Sequence, residues 1–434
     1  MRILNARLRE TDGLHDVEVS NGRFTSITPA ASIPGDAATA PASNDLDGSL
    51  RISVDVFDAR GRMLVPQFVD AHLHLDYANT VGKPRLNESG TLFEAIDIWA
   101  DHKAMGFVNK DLIKQNATNA IRAEVSNGVG FIRTHVDVTD PNLTALEAIL
   151  EVKDEVREWC EVQIISFPQN GIFAYPNGNS LMEESLRRGA DVVGGIPHFE
   201  RSLTSGLRSV DWIFELAEKY DKLIDVHCDE IDDESSRFLE YMADLAVERS
   251  MQGRVTASHV VAMAYYKSGY MAKLLSKLRE ADVRFAINPT ENLHLQGWGT
   301  DAPIPRGMAP IRTLIEGGLN VALGQDSIAD PWYPIGEGDM LRILDFGLHV
   351  GHMLNEQYLG NCLDLITVNG AKNMGISDRY GIAVGNPASA IILDAPTDKE
   401  ALWHQSDVLL SLHNGSVVFE REPQRTTWGS AVQS

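Results

Sequence analysis

The sequence predicts a (β/α)8 barrel, the TIM-barrel architecture, carrying a small β-sandwich domain formed by the N- and C-terminal segments. Three observations lead there. Eight apolar, strand-like runs alternate with helical patterns between residues 64 and 326. Polar residues collect at the C-terminal end of nearly every run, where barrel active sites lie. Short alternating strands with turn signals occupy the two ends of the chain. A doubly wound open sheet is the alternative for the same rhythm, and the clustered polar strand ends favour the barrel. The expected division is a small β-domain from residues 1–64 and 383–434 and a catalytic barrel over 65–382.

Residues 2–8 and 16–28 alternate as strands, and Asn21-Gly22 marks a hairpin turn because both positions tolerate positive φ. Residues 33–47, rich in Pro, Ala, Gly and Ser, read as a loop. A further strand pair is expected at 50–56 and 63–65 around Arg60-Gly61. The barrel runs are 64–72, 130–136, 162–168, 191–197, 223–227, 255–259, 283–289 and 320–326. Helical periodicity lies between them at 92–103, 145–156, 181–188, 212–220, 234–249, 270–279 and 311–316. Strands return at 388–394, 408–412 and 416–420, the last two joined by Asn414-Gly415, and a tail begins at Gln424.

Composition excludes several classes. A chain of 434 residues has room for one large domain and a smaller one. Its 44% hydrophobic and 23% charged residues are ordinary for a soluble globular protein. The net charge of -23 argues against a nucleic-acid partner, because phosphates call for Lys and Arg. No window of about 18 consecutive apolar residues exists, so no membrane span is expected. The opening MRILNARLRE lacks a signal-peptide core. Cys160, Cys228 and Cys362 are too few and too scattered for a disulfide framework or a Cys-x-x-Cys site, which suits a cytoplasmic location.

The strand ends carry the chemistry. His72 and His74 are two apart, so they project together from one strand end. The fifth run ends in His227-Cys228-Asp229-Glu230, the sixth in His259 and the eighth in Gln325-Asp326-Ser327. A barrel brings these ends to one mouth. Three histidines and a carboxylate suffice to hold a Zn²⁺ or Fe²⁺ ion with one position left for water. Each residue also has a plain structural reading. His72, His74, His227 and His259 could be satisfied core histidines, Glu230 a helix-start acid, Gln169 a loop amide and Asp326 a turn residue.

The motifs FVDAHLHLD, SGTLFEAI, RTHVDV, SFPQNGI, YPNG, IPHFE, LIDVHCDEIDDESSRF, TASH, NLHLQG and DPWYP together resemble the amidohydrolase superfamily, and within it the cytosine deaminase group. The resemblance covers essentially the whole chain. It implies one divalent metal per chain, zinc or iron, held by His72, His74, His227 and Asp326. It implies Glu230 as the proton-shuttling acid, with His259 and Asp326 holding and deprotonating the attacking water. Gln169 matches the glutamine that reads the polar edge of the ring, and Leu92, Phe167 and Trp332 fall where pocket walls are expected. A small nucleobase substrate and a homo-oligomeric assembly follow from the same resemblance.

Two positions depart from that pattern. The group carries Gly-His-Asp-Asp where this chain has Gly324-Gln325-Asp326-Ser327. The ligand aspartate is kept. The second acid is replaced by Ser327, smaller and neutral, at a position that the resemblance puts near carbon 5 of the pyrimidine. An uncharged carbon-5 substituent would then fit at lower desolvation cost, which points to a 5-substituted cytosine such as 5-methylcytosine.

His198-Phe199-Glu200 mimics half of an unrelated zinc deaminase motif, but no Pro-Cys-x-x-Cys follows it. His135, Asp137 and His198 are expected to support the ligands rather than bind metal. His294 is expected near the mouth. Alternative activities with the same ligands are deamination of isoguanine, creatinine or a triazine, or loss of an N-alkyl amine. A non-enzymatic scaffold would predict missing ligands, and all are present.

Overall fold

The computed structural model describes residues 1–30, 55–299 and 305–424. The expected loop at 33–47, most of the strand at 50–56 and nearly all of the tail lie outside the described residues. Five strands come first: β1 (Arg2–Ala6), β2 (His15–Ser20), β3 (Arg23–Pro29), β4 (Val56–Asp58) and β5 (Met63–Pro66). Eight parallel strands follow: β6 (Phe68–Leu73), β7 (Val129–Asp137), β8 (Glu161–Phe167), β9 (Val192–Val193), β10 (Leu223–Cys228), β11 (Val255–His259), β12 (Arg284–Ile287) and β13 (Val321–Leu323). Three more close the chain: β14 (Ala390–Leu393), β15 (Val408–His413) and β16 (Ser416–Glu420). The chain divides into two compact units, Met1–Gln67 with Arg379–Ser434, and Phe68–Asp378.

The smaller unit holds two four-stranded sheets, β3-β2-β1-β4 and β16-β15-β14-β5. Ile3, Val17, Phe24, Leu64, Ile392 and Leu410 form its core. Asn21 and Gly22 adopt φ of 51° and 77°, and Asn414 and Gly415 of 49° and 81°, as two-residue hairpins require. The two tips touch: a Cβ on Gly415 would stand 2.6 Å from the Gly22 Cα.

Two expectations are corrected here. The turn at Ala59–Arg62 forms, with the Arg62 N–H donating to the Ala59 carbonyl at 3.0 Å, but its flanking strands do not pair. β4 runs parallel to β1, and β5 runs antiparallel to β14, so the turn hands the chain from one sheet to the other. The run 64–72 is also not one strand. It breaks at Gln67, whose side chain bonds Ser411 Oγ at 3.0 Å and His413 Nδ1 at 2.8 Å. Apolar patterning shows that such a run is buried, not which sheet it joins.

In the larger unit the strands are ordered β6 to β13 in sequence. The ring closes just past β13, where Asp326 N–H donates to the His72 carbonyl at 2.8 Å and His74 N–H donates to the Asp326 carbonyl at 2.9 Å. Gly324 permits this approach, because a Cβ there would stand 2.6 Å from the His72 Cβ. The helices that interleave are α1 (Leu92–Ala104), α2 (Lys110–Ser126), α3 (Thr144–Glu155), α4 (Gly178–Arg188), α5 (Leu203–Tyr220), α6 (Phe238–Glu248), α7 (Ser268–Glu280) and α8 (Pro289–Leu295). The sequence reading has no helix at α2, whose buried face includes Ala117 and Ala120 and so gives a weak apolar stripe. α5 begins well before the expected residue 212, behind a capping box of Ser202 and Ser205.

A buried ion pair ties the strands internally. Arg133 donates to Asp225 Oδ2 at 2.8 Å, Gln163 Oε1 at 2.7 Å and the Asn373 carbonyl at 2.6 Å, and Asp225 also accepts from Ser258. Both charged side chains are fully buried. Removing one partner of such a pair strands the other charge, at a cost of about 3–5 kcal/mol. Arg133→Met is therefore expected to lower stability by about 3 kcal/mol or more. Calorimetry checks this, and a melting midpoint within about 1 °C of wild type would contradict it.

Candidate active site

Five side chains from four strand ends converge at the mouth of the barrel. His72 and His74 come from β6, His227 from β10, His259 from β11 and Asp326 from the turn after β13. Ligand atoms of His72, His227, His259 and Asp326 all lie within 4.8 Å of one another. His74 joins them, with Nε2 3.1 Å from His227 Nε2 and 3.5 Å from Asp326 Oδ1. Asp326 Oδ1 also stands 3.2 Å from His72 Nε2. The sequence-predicted ligands are thus brought together, and His259 stands as close to the centre as they do.

Burial decides their chemistry. It holds the imidazoles of His72, His74 and His259 down at about 3, and that of His227 well below its usual value. Neutral imidazoles offer lone pairs to a cation. Both ring nitrogens of His72 and Oδ2 of Asp326 are buried with no hydrogen-bond partner among the described residues. Orphaned buried donors and acceptors are rare and call for a ligand. Three or four nitrogens and one carboxylate at these spacings fit a divalent cation of the zinc or iron type.

The backbone here is strained. Asp326 and His259 adopt φ of 70° and 66°, in the left-handed region that non-glycine residues seldom enter. For Asp326 the barrel-closing bonds impose the conformation. His259 is held by amide nitrogens of Asn292, 3.1 Å from Nδ1, and Asn288, 3.3 Å from Nε2. Behind His72, the His135 ring packs at 4.1 Å and Nε2 of His135 lies 3.8 Å from Asp225. Asp70 accepts from the N–H groups of His72 and Gln325, both at 3.1 Å. Gln325 answers the departure noted in the sequence: its amide donates to the Ser327 carbonyl and accepts from Gly338 N–H, using both ends of one side chain.

A cavity opens on this cluster. Gln169, Leu92, Trp332, Ser327 and Glu230 line it, as expected from sequence. Glu230 Oε1 is 3.3 Å from His259 Nδ1. Burial first, and the Asp326 charge second, push the Glu230 carboxyl well above its usual range. Phe167 differs from expectation. It is not on the cavity wall but stacks beneath the His227 ring at 4.1 Å, because its strand position turns it toward the ligands' backs. His198 meets the His227 backbone, and Asp137 is tied to Trp99, Lys103 and Thr139 rather than to the cluster. His294 packs 6.3 Å from the Tyr333 ring and is not among the lining residues.

Sequence reasoning missed Tyr77 and Glu291. Tyr77 donates to Gln169 Oε1 at 2.6 Å and stacks on His74 at 4.8 Å and on Trp332 at 4.7 Å. This fixes the amide so that its NH2 is available to the cavity. The signal was present, since Tyr77 follows the His-x-His strand by three residues. Glu291 lines the cavity from α8.

Comparison with known proteins agrees with this geometry. Residues 55–419 match the Amidohydrolase family. A crystal structure of 5-methylcytosine deaminase from Klebsiella pneumoniae, liganded with 5-fluorocytosine, has a TM-score of 0.93 and 44% identity and covers 99% of each chain. N-isopropylammelide isopropyl amidohydrolase of Pseudomonas sp. (strain ADP) is 28% identical over 424 residues, 97% of each chain. The N-isopropylammelide isopropylaminohydrolase of Burkholderia multivorans shares the fold, with a TM-score of 0.78 at 24% identity over 97% of this chain and 98% of its own.

If the cluster is a metal site, removing a donor should empty it without unfolding the barrel. Wild type is expected to carry about one zinc or iron per chain, and His227→Ala about a tenth of that or less, because one lost ligand or supporting contact costs 10–100-fold in affinity. Elemental analysis with circular dichroism measures both, and full metal content in the folded variant would refute the assignment.

Proposed function

The chain belongs to the amidohydrolase family, and from that premise we propose that it is a metal-dependent aminohydrolase that deaminates cytosine-type bases. The reading adds that the preferred base carries a small substituent on carbon 5, as 5-methylcytosine does. The observation that carries it is the pairing of one buried proton carrier, Glu230, with a neutral histidine–aspartate cluster in a cavity that also presents a fixed amide. Identity of 44% over nearly the full length to a protein described as 5-methylcytosine deaminase supports the same substrate class. The N-alkyl aminohydrolase reading rests on more distant relatives.

In this reading His72, His74, His227 and Asp326 hold one zinc or iron ion. A divalent cation there supplies hydroxide from water near neutral pH. Gln169, oriented by Tyr77, accepts the ring N–H and donates to the ring carbonyl, which fixes the base. Asp326 and His259 orient the attacking water and take its proton. Glu230 holds a proton because it is buried beside Asp326, and it delivers that proton to the ring nitrogen next to carbon 4. A second proton transfer to the exocyclic nitrogen releases ammonia and leaves a carbonyl on carbon 4. Water adds one oxygen and two hydrogens, and one ammonia departs.

Among the described residues no helix is long and apolar enough to cross a membrane. The three cysteines are buried and not joined in disulfides, which supports placing the enzyme in the cytoplasm. Assembly into a homo-oligomer belongs to the same proposal and rests on the family resemblance. The acidic net charge supports a small molecule over nucleic acid as partner.

Two measurements test the reading. Ammonia release from a panel of aminopyrimidines should give kcat/KM for 5-methylcytosine about tenfold or more above that for cytosine, the range one methyl group commands in a fitted pocket. A strong preference for unsubstituted cytosine would sink the carbon-5 assignment. Glu230→Gln should keep its metal and lose about 10³-fold in kcat; wild-type turnover by that metal-replete variant would remove Glu230 from the mechanism.

A further inference from the structure

Glu291 is a cavity carboxyl that the mechanism above leaves unused. It is buried, with 2% of its surface exposed, and Oε2 has no hydrogen-bond partner among the described residues. Several other buried acids of this chain are engaged by backbone N–H groups, although Glu124, like Glu291, is not. Glu200 accepts from Ile172, Phe173 and Ala174, Asp229 from Phe238 and Leu239, and Asp330 from Trp332 and Tyr333. Oε2 of Glu291 accepts no such bond, and Glu291 lines the cavity from α8. The charged groups acting on it are Asp326, Asp330 and Glu230, all acidic, and its polar neighbour is the Ser327 hydroxyl. A buried acid among acids costs stability unless something in the cavity uses it.

Barrel order says what that is. Gln169 follows β8, the third strand of the ring, and Glu291 follows β12, the seventh. In an eight-membered ring these positions lie on opposite sides of the mouth. In a six-membered pyrimidine, carbon 5 lies directly across the ring from the carbonyl carbon. A base whose carbonyl is held by Gln169 therefore turns carbon 5 toward Glu291 and Ser327.

We propose that Glu291, with Ser327, forms a hydrogen-bonding subsite for a polar substituent on carbon 5, so that the substrate class includes hydroxymethyl-bearing cytosines. The carboxyl accepts the substituent's O–H, and the Ser327 hydroxyl can serve as donor or acceptor to the same oxygen. This rests on the deamination reading and on Gln169 holding the ring carbonyl. An ethyl group has nearly the size of hydroxymethyl but leaves Glu291 unpartnered, and a site built for a hydroxyl discriminates strongly against such an isostere.

The test is kcat/KM for 5-hydroxymethylcytosine and 5-ethylcytosine with the metal-replete wild type, Glu291→Gln and Glu291→Leu. Wild type is expected to favour the hydroxymethyl base by roughly tenfold or more. Glu291→Gln, which still hydrogen-bonds, should keep most of that ratio, and Glu291→Leu should lower it about tenfold or more. Equal or better use of 5-ethylcytosine by wild type overturns the proposal, and this comparison stands even if Glu291→Leu does not fold. An unchanged ratio in folded Glu291→Leu overturns it too. Turnover of cytosine or 5-methylcytosine with neither larger analogue sinks this inference alone, whereas no turnover of any cytosine sinks the deamination reading together with it.

Discussion

The backbone bonds between Asp326 and the residues His72 and His74 are the constraint on which the site depends. They close the eight-stranded ring, and in doing so they set the Asp326 carboxylate 3.2 Å from one imidazole and 3.5 Å from the other. Closure and assembly of the cluster are one event. Gly324 is its precondition, since any side chain there would collide with His72. The left-handed conformation of Asp326 is the cost, borne because the ring bonds over-determine it.

The second constraint is electrostatic. The mouth buries four imidazoles and the acids Glu230, Glu291 and Asp326 with few compensating bonds. Burial pushes both kinds of group toward neutrality, imidazoles by losing protons and carboxyls by gaining them. A divalent cation held there would reverse part of that balance, because it would reward neutral imidazole lone pairs and an ionised Asp326 at once. Glu230, farther from the imidazoles of β6 and facing His259, keeps the tendency to hold its proton. One set of buried residues would thus serve as a cation binder and a proton carrier, separated by position on the ring rather than by residue type.

Much of this was legible in the sequence, and the failures have physical causes. Strand ends His227, His259 and Asp326 could be read because a parallel strand buried on both faces is a short apolar run, and the polar residue that ends it stands out. The hairpins at Asn21-Gly22 and Asn414-Gly415 could be read because few residues accept two consecutive positive φ angles. The split of 64–72 at Gln67 could not, since pairing partners lie more than 300 residues away in β14 and its neighbours. α2 hid behind alanines. Asn288 and Asn292 reach His259 only through the turn between β12 and α8, which places them one helical turn apart. Glu291 sat in the first turn of α8, where an acid ordinarily answers the helix dipole, so nothing marked it as a cavity residue.

The residues proposed to hold the cation and carry protons sit on or just after β6, β10 and β11 and on the closing turn after β13, where geometry is fixed by the ring itself. The residues that meet the remaining edges of a ligand come from the segments after β8, β12 and β13: Gln169, Glu291 and Ser327. Ser327, where the resembled pattern has an acid, leaves one edge of the cavity without that charge, and Glu291 sets a carboxyl beside it. Ser327 and Glu291 set a hydroxyl beside a carboxyl on one edge of the cavity. A group that fills space and offers a hydrogen would use both the room and that carboxyl, whereas bare volume would use only the room.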